Sequence, residues 1–220
     1  FDGIKAMIHE DEYQQVIRFR EFMSYVGFHA VFSCLDSPET LEKVYGAPEL
    51  ASTSFFSCLP GYIPDYLDGM VGRPQSDRAT HIVYRGRNLL PQLGRFAQEK
   101  KWIGEQVAGL AEEAGLKFDI SSSEADRIYG PVWNRFLQKG RAMLGVEGGA
   151  SIFDFNGVLA EKVEAYKTEH PGAEFEEIWD LLLRDDEGNV EFRVITPKFF
   201  EAIASKTALF LYPGRYSGVL

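Results

Sequence analysis

Residues 80–121, THIVYRGRNLLPQLGRFAQEKKWIGEQVAGLAEEAGLKFDIS, hold the pattern that decides the fold. A short apolar run at 80–84 reads as a strand. It is followed by a basic loop, Arg85-Gly86-Arg87, and then by a long helical stretch at 95–115 that ends at a glycine. A second apolar run, 117–121, reads as another strand. Two short apolar strands joined by a long helix make the crossover unit of a parallel sheet covered on both faces.

The same alternation extends in both directions. Upstream, strands at 4–8, 28–33 and 54–58 alternate with helices at 12–25 and 37–45, the second opened by Ser37 as cap and Pro38 at its first position. Downstream come a helix at 131–139, a strand at 141–146 and helices around 159–168 and 175–184. A strand-like run at 192–195, a helix at 197–205 and a strand at 207–212 complete the series. Between the two halves, 60–77 carries Pro60, Gly61, Pro64, Gly69, Gly72 and Pro74 and no sustained apolar period. The expected architecture is α/β, with two Rossmann-like doubly wound parallel-sheet units. Residues 1–60 form the end of the first, 61–77 a hinge, and 78–220 the second. The chain opens on Phe1 and stops at Leu220 just past a strand. The first unit is therefore expected to be incomplete, and the second to lack its C-terminal end.

Composition narrows the function classes. Hydrophobic residues make up 45% and charged residues 25% of the 220, as in ordinary globular proteins. A net charge of −10 argues against nucleic-acid partners, which need surplus Lys and Arg, but leaves room for a small anion held by local cations. No apolar run approaches the roughly 20 residues of a membrane span. Cys34 and Cys58 lack metal-ligand spacing, and no His cluster accompanies them. They read as buried thiols on neighbouring strands in a reducing cytoplasm, and no metal is expected. No GxGxxG, Walker loop, HExxH or GxSxG is present.

In doubly wound sheets ligands gather beyond the C-terminal strand ends. Arg85 and Arg87 flank a glycine at such an end, with Lys100 and Lys101 in the following helix as a second cationic arm. Glu147-Gly148-Gly149-Ala150-Ser151 offers a glycine pair and a hydroxyl after another strand. Thr196-Pro197 starts a helix whose free amides suit a diphosphate, and Glu201 lies one turn further, placed for sugar or ribose hydroxyls. Ser217 and Gly218 close a second glycine-rich loop that begins at Tyr212. In the first unit His9 and Asp11 follow a strand directly and are candidates for catalytic proton transfer. His29, His81 and Trp133 read as core.

At these residues the sequence resembles the glycosyltransferases of the GT-B fold, most closely the group-1-like enzymes of bacterial polysaccharide and surface-glycan assembly. HIVYRGR (81–87), GVEGGAS (145–151) and PKFFEAIASKTALFLYPGRYSG (197–218) carry the resemblance, which covers 78–220 better than the remainder. It implies a donor site for a nucleotide-diphosphate sugar in the second unit, used as substrate, with no cofactor and no metal. The resemblance assigns the diphosphate to Arg85 or Arg87 and to Lys100. Gly94-Arg95 with Lys100 is a competing match to the same spacing. Glu201 matches the second of two family glutamates, the one that contacts the donor's ribose. The first position is Arg193, which departs from the pattern and bears on donor-sugar contacts and stereochemistry. The implied acceptor is a glycan, a lipid-linked molecule or a protein, with peripheral membrane association through a lipid-linked acceptor. A nucleotide-sugar 2-epimerase on the same scaffold and a non-catalytic two-lobed binding protein are the alternatives.

Overall fold

Short apolar runs form the strands, and a proline at the first helical position starts three of the α-helices. The computed structural model describes residues 2–220. In the first unit, β1 (Ala6–His9), β2 (Ala30–Ser33) and β3 (Ser54–Ser57) make a parallel sheet in the order β1-β2-β3. They are connected through α1 (Val16–Val26) and α2 (Pro38–Tyr45). Ser37 accepts a bond from the Thr40 amide at 3.3 Å, with Pro38 opening α2.

Side chains alternate across the pleat, so Met7, His9, Val31, Ser33 and Phe55 share one face. Phe19 of α1 and Tyr45 of α2 pack on that face, Phe19 4.4 Å from the His9 ring and Tyr45 4.6 Å from that of Phe55. The opposite face carries Ile8, Phe32 and Phe56 in one row, exposed to 72%, 37% and 48%. A doubly wound sheet was expected here, and helices cover one face only among the described residues.

The second sheet has the order β5-β4-β6-β9, with all neighbours parallel: β4 (Thr80–Arg85), β5 (Phe118–Ser121), β6 (Gly140–Gly145) and β9 (Ala208–Leu211). Both of its faces are covered. Val83 and Met143 pack with Phe136 and Leu137 of α4 (Pro131–Lys139) and with Phe199 and Ala202 of α7 (Pro197–Ala204). Tyr84 and Leu144, on the opposite face, pack with Ile103 of α3 (Arg95–Glu113). From β4 the chain leaves to β5 on one side and later to β6 on the other. A crevice therefore opens at the carboxyl end of β4.

The division of the chain differs from the expected single boundary. One unit takes the residues up to Leu59 together with Leu90–Ala97 and Gly149–Val194, and the other takes Pro60–Leu89, Gln98–Gly148 and Ile195–Leu220. Residues 61–77 are not a free hinge. The Arg73 amide bonds to Gln138, and the Gln75 side chain to the Lys206 carbonyl. Arg78 is wholly buried, its guanidinium donating to the carbonyls of Arg73, Gly140 and Ser205 and to the Thr207 hydroxyl at 2.8–3.0 Å. These bonds tie the turn-rich segment to the second sheet. Gly149–Val194 instead builds on the first unit. The Asp154 amide donates to the Tyr13 carbonyl and the Ile17 amide to that of Phe155. The Asp154 carboxylate caps α5 (Val158–Glu169) through the amides of Gly157 and Ala160, each at 2.9 Å. A helical segment then runs through α6 (Phe175–Ile178) and a π-helical turn, Trp179–Leu183. Ile152, Leu159, Val163, Ile178 and Leu183 form a separate cluster there. β7 (Gly148–Ala150) and β8 (Phe192–Val194) pair as a two-stranded sheet.

Candidate functional site

The crevice at the end of β4 is a pocket of about 640 Å3 within the second unit. Its walls come from the segment after β4, the start of α4 and the first turns of α7. Arg85, Arg87, Lys100, Arg127 and Lys198 bring five cations to it, Arg127 already paired with Glu124 at 2.6 Å, and Glu201 adds a carboxylate. Lys198 keeps some exposed surface, but its ammonium is enclosed, 4.5 Å from the centre of the Tyr84 ring. Burial, with Lys100 repulsion added, lowers it to about 7. Glu201 accepts a 2.6 Å bond from the Trp133 indole. Burial raises the Glu201 carboxyl above its ordinary range, and that bond opposes the rise.

Two polar atoms of the same wall, Thr196 Oγ1 and Asn134 Oδ1, are buried without a hydrogen-bond partner. Thr196 stands at the start of α7 without capping it by its side chain, and Pro197 occupies the first helical position. The first-turn amides of α7 lie where an anion is favoured.

Arg87, Lys100 and Glu201 are thus brought together as expected. Arg85 lines the same pocket but is otherwise engaged. Its guanidinium meets the Asp119 carboxylate at 2.8 Å, bonds the carbonyls of Tyr84, Asp119 and Asp126, and lies over Phe136. Burial pushes the Asp119 carboxyl up, but bonds and charge from Lys139 and Arg85 bring it below its usual range. Arg85 therefore braces β4 and β5. Arg95, the competing match, belongs to the first unit, where it forms two bonds with Glu176 and lies 4.0 Å over Trp179. Gly86 owes its place to packing. A Cβ there would meet the Lys100 carbonyl at 2.8 Å and the Tyr84 ring at the same distance.

The remaining expected donor residues lie outside the pocket. Glu147 is buried and accepts from the Tyr216 amide at 2.7 Å, closing the loop after β9 on the end of β6. The two loops are neighbours, as expected, but this bond is structural. Gly148 and Gly149 belong to β7, and Gly149 has φ of 127° with the Phe192 carbonyl 1.9 Å from where a Cβ would be. Gly149 lets two backbones meet. Ser151 is buried and its hydroxyl accepts from the Phe96 amide at 3.2 Å. Ser217 accepts from the Ile195 amide, and Gly218 follows in a turn.

Lys198 and the bond from Trp133 to Glu201 did not figure in the sequence reading. The PKFFEA stretch already contained the lysine beside the helix start. Trp133 looked like core and is half core, stacked 5.5 Å from Phe136 with its indole N–H turned to Glu201. His29 and His81 each accept a backbone amide, from Lys5 and Lys117, at strand starts rather than inside a core.

In the first unit His9 and Asp11 line another pocket, with Asp11 accepting from the Tyr13 hydroxyl. Behind His9 lies Glu12, a buried carboxylate. Cys34 and Cys58 are free thiols beyond the ends of β2 and β3. Burial pushes Cys34 up to about 12 and raises Cys58 as well, which keeps both protonated. Among the described residues no group of His, Cys, Asp and Glu is placed to hold a metal, and no helix is long and apolar enough to cross a membrane. Comparison of the chain with protein-family models, curated proteins and solved structures gives no match.

Proposed function

We propose that the second unit binds a nucleotide-diphosphate sugar and that the chain is part of a glycosyltransferase of the GT-B kind. The observation that carries this reading is the meeting of Arg87, Lys100, Lys198 and the first turn of α7 on one pocket beside Glu201. Three cations and a helix N-terminus suit a diphosphate, whose charge grows when it leaves. In the transfer, the bond from the anomeric carbon to the phosphate oxygen breaks and its electron pair leaves with the diphosphate. The acceptor oxygen bonds to that carbon and gives up its proton to a base beside it or to water. Glu201, held by Trp133, offers its free oxygen to a hydroxyl pair such as that of ribose. Asn134 and Thr196 supply polar atoms that the protein leaves open for hydrogen bonds. A pocket of about 640 Å3 falls within the range of small-ligand sites.

Calorimetry with UDP, GDP and ADP, and with their hexose derivatives, tests the proposal. Binding of at least one is expected, with Lys198→Ala and Glu201→Gln each weakening it about tenfold or more, since hydrogen bonds to charged groups contribute about 1.5–3 kcal/mol. Failure of every nucleoside diphosphate to bind overturns the reading. Binding that is indifferent to both substitutions moves the site elsewhere.

A further inference from the structure

The first unit holds its own pocket, about 690 Å3, where β1 ends and α1 begins, and a chain of hydrogen bonds runs from its wall into the core. At the inner end is Glu12, 1% exposed. Its carboxylate accepts from the Ser33 hydroxyl at 2.7 and 2.8 Å, the Cys34 amide at 2.9 Å and the Tyr45 hydroxyl at 2.5 Å. Three donors satisfy an ionised carboxylate at a buried site. The phenolic proton of Tyr45 is thereby committed to Glu12, and its oxygen is left with lone pairs. His9 Nδ1 stands 3.1 Å from that oxygen. Only an N–H completes this contact, so the neutral imidazole carries its proton on Nδ1. Nε2 is then the bare ring nitrogen left to the pocket.

We propose that His9, Tyr45 and Glu12 form a proton relay that deprotonates a hydroxyl group of a neutral, polyhydroxylated ligand of the sugar class bound in this pocket. The ligand's O–H bond breaks and its proton bonds to His9 Nε2. The Nδ1 proton passes to the Tyr45 oxygen as the phenolic proton of Tyr45 passes to Glu12 Oε2. One proton has then moved from ligand to Glu12, His9 is again neutral in its other tautomer, and the electron pair stays on the ligand oxygen as a nucleophile. His9 is the catalytic residue, and Tyr45 and Glu12 act through it.

Burial acts on both ends of the relay in the sense of this transfer. Burial lowers the basicity of His9 against the opposing pull of Asp11. Burial raises that of Glu12, opposed by its Tyr45, Ser33 and Cys34 bonds. Glu10 and Asp11 share the pocket with His9, and Arg20 acts on Tyr45 from α1. The same lining selects the ligand. The carboxylates of Glu10 and Asp11 repel anions and accept from hydroxyls, the amides of Gln14 and Gln15 pair with hydroxyls in either sense, and Phe19 adds an aromatic surface. Identifying the ligand as the acceptor rests on the transferase reading, whereas the relay does not.

Nitrogen-15 NMR of the whole chain reads the His9 tautomer directly. Ligand-free protein near neutral pH should show Nδ1–H, and Tyr45→Phe should turn most of the population to Nε2–H. An Nε2–H or charged wild-type His9 overturns the relay whether or not the variant folds, and so does a tautomer that Tyr45→Phe leaves unchanged. Titration with methyl glucoside, galactoside and mannoside should move the His9 ring resonances, and no shift with any of them overturns the ligand class. A chain that fails to bind nucleoside diphosphates but passes these tests defeats the transferase reading alone.

Discussion

Lys198 and Arg85 show how far a side chain's role depends on partners distant in sequence. Both are cations beside turns, one at a helix start and one at a strand end. Arg85 finds Asp119 on the neighbouring strand and becomes a brace. Lys198 finds no carboxylate partner in the pocket wall, lies over Tyr84 near Lys100, and is lowered to about 7. Its ordinary value is 10.5, so the free pocket has lost much of this charge in mildly alkaline solution. A bound diphosphate favours the charged ammonium and raises it again. Between the two values binding takes up a proton, and affinity falls as pH rises. UDP affinity should accordingly decrease from pH 7 to pH 9. At pH 8, where the nucleotide is fully ionised, calorimetry in two buffers of different ionisation enthalpy should show net proton uptake. Lys198→Arg, whose charge does not titrate in this range, should remove both effects. Binding without uptake would place the ammonium outside the ligand's field. The sequence showed the lysine and the helix start. What it could not show was that burial over Tyr84 and the charge of Lys100, over a hundred and nearly a hundred positions earlier, would meet at this ammonium.

At the scale of elements, alternation of apolar runs located most strands and helices, because a buried parallel strand needs continuous β-branched and aromatic residues whatever surrounds it. The segment 147–151 was read as a ligand loop, but glycine answers two different needs. It admits ligands to the backbone, and it also lets two strands approach. Gly149 serves the second, with φ of 127° and the Phe192 carbonyl where a Cβ would stand. Gly149→Ala should therefore destabilise the fold by about 1–3 kcal/mol or more through backbone strain and loss of the β7–β8 pair. UDP affinity of the folded fraction should stay within about twofold of the wild type, since the pocket wall does not include β7. Urea unfolding and calorimetry measure the two quantities on one sample. A large loss of affinity at unchanged stability would restore the glycine pair as a ligand loop. The proposed relay was half legible in the same way. His9 after a strand drew notice, but Glu12 reads as a helix-start acid until Ser33, Cys34 and Tyr45 are seen to surround it.

For the whole molecule, local pattern fixes what each segment becomes but not the unit it joins. Helical periodicity in 159–184 is the same whether the helices cover one sheet or build beside another. Their allocation rests on long-range bonds such as Asp154 to the Tyr13 carbonyl and Ile17 to that of Phe155, and on the cap that Asp154 gives α5. The turn-rich stretch 61–77 looked like a hinge for the complementary reason, since its bonds to Gln138 and Lys206 and its support of Arg78 involve residues far along the chain. This interleaving leads to a distinct outcome when the chain is cut. A fragment beginning at residue 60 keeps the second sheet, the Arg78 network, the pocket at the end of β4 and Leu90–Ala97, yet removes the first sheet and α1, on which Asp154 and Phe155 build. In hydrogen exchange the strands Thr80–Arg85 and Gly140–Gly145 should keep the protection they have in the full chain. Amides of Val158–Glu169 and Phe175–Ile178 should exchange at least about tenfold faster, equivalent to about 1.4 kcal/mol of opening free energy. A fragment beginning at residue 78 should also melt below the one beginning at 60, because Arg78 then loses the Arg73 carbonyl while its guanidinium stays buried. Equal protection of 149–194 in the full chain and in the fragment would show that this segment stands without the first sheet. In that case the packing of Asp154 and Phe155 against α1 contributes little to holding it.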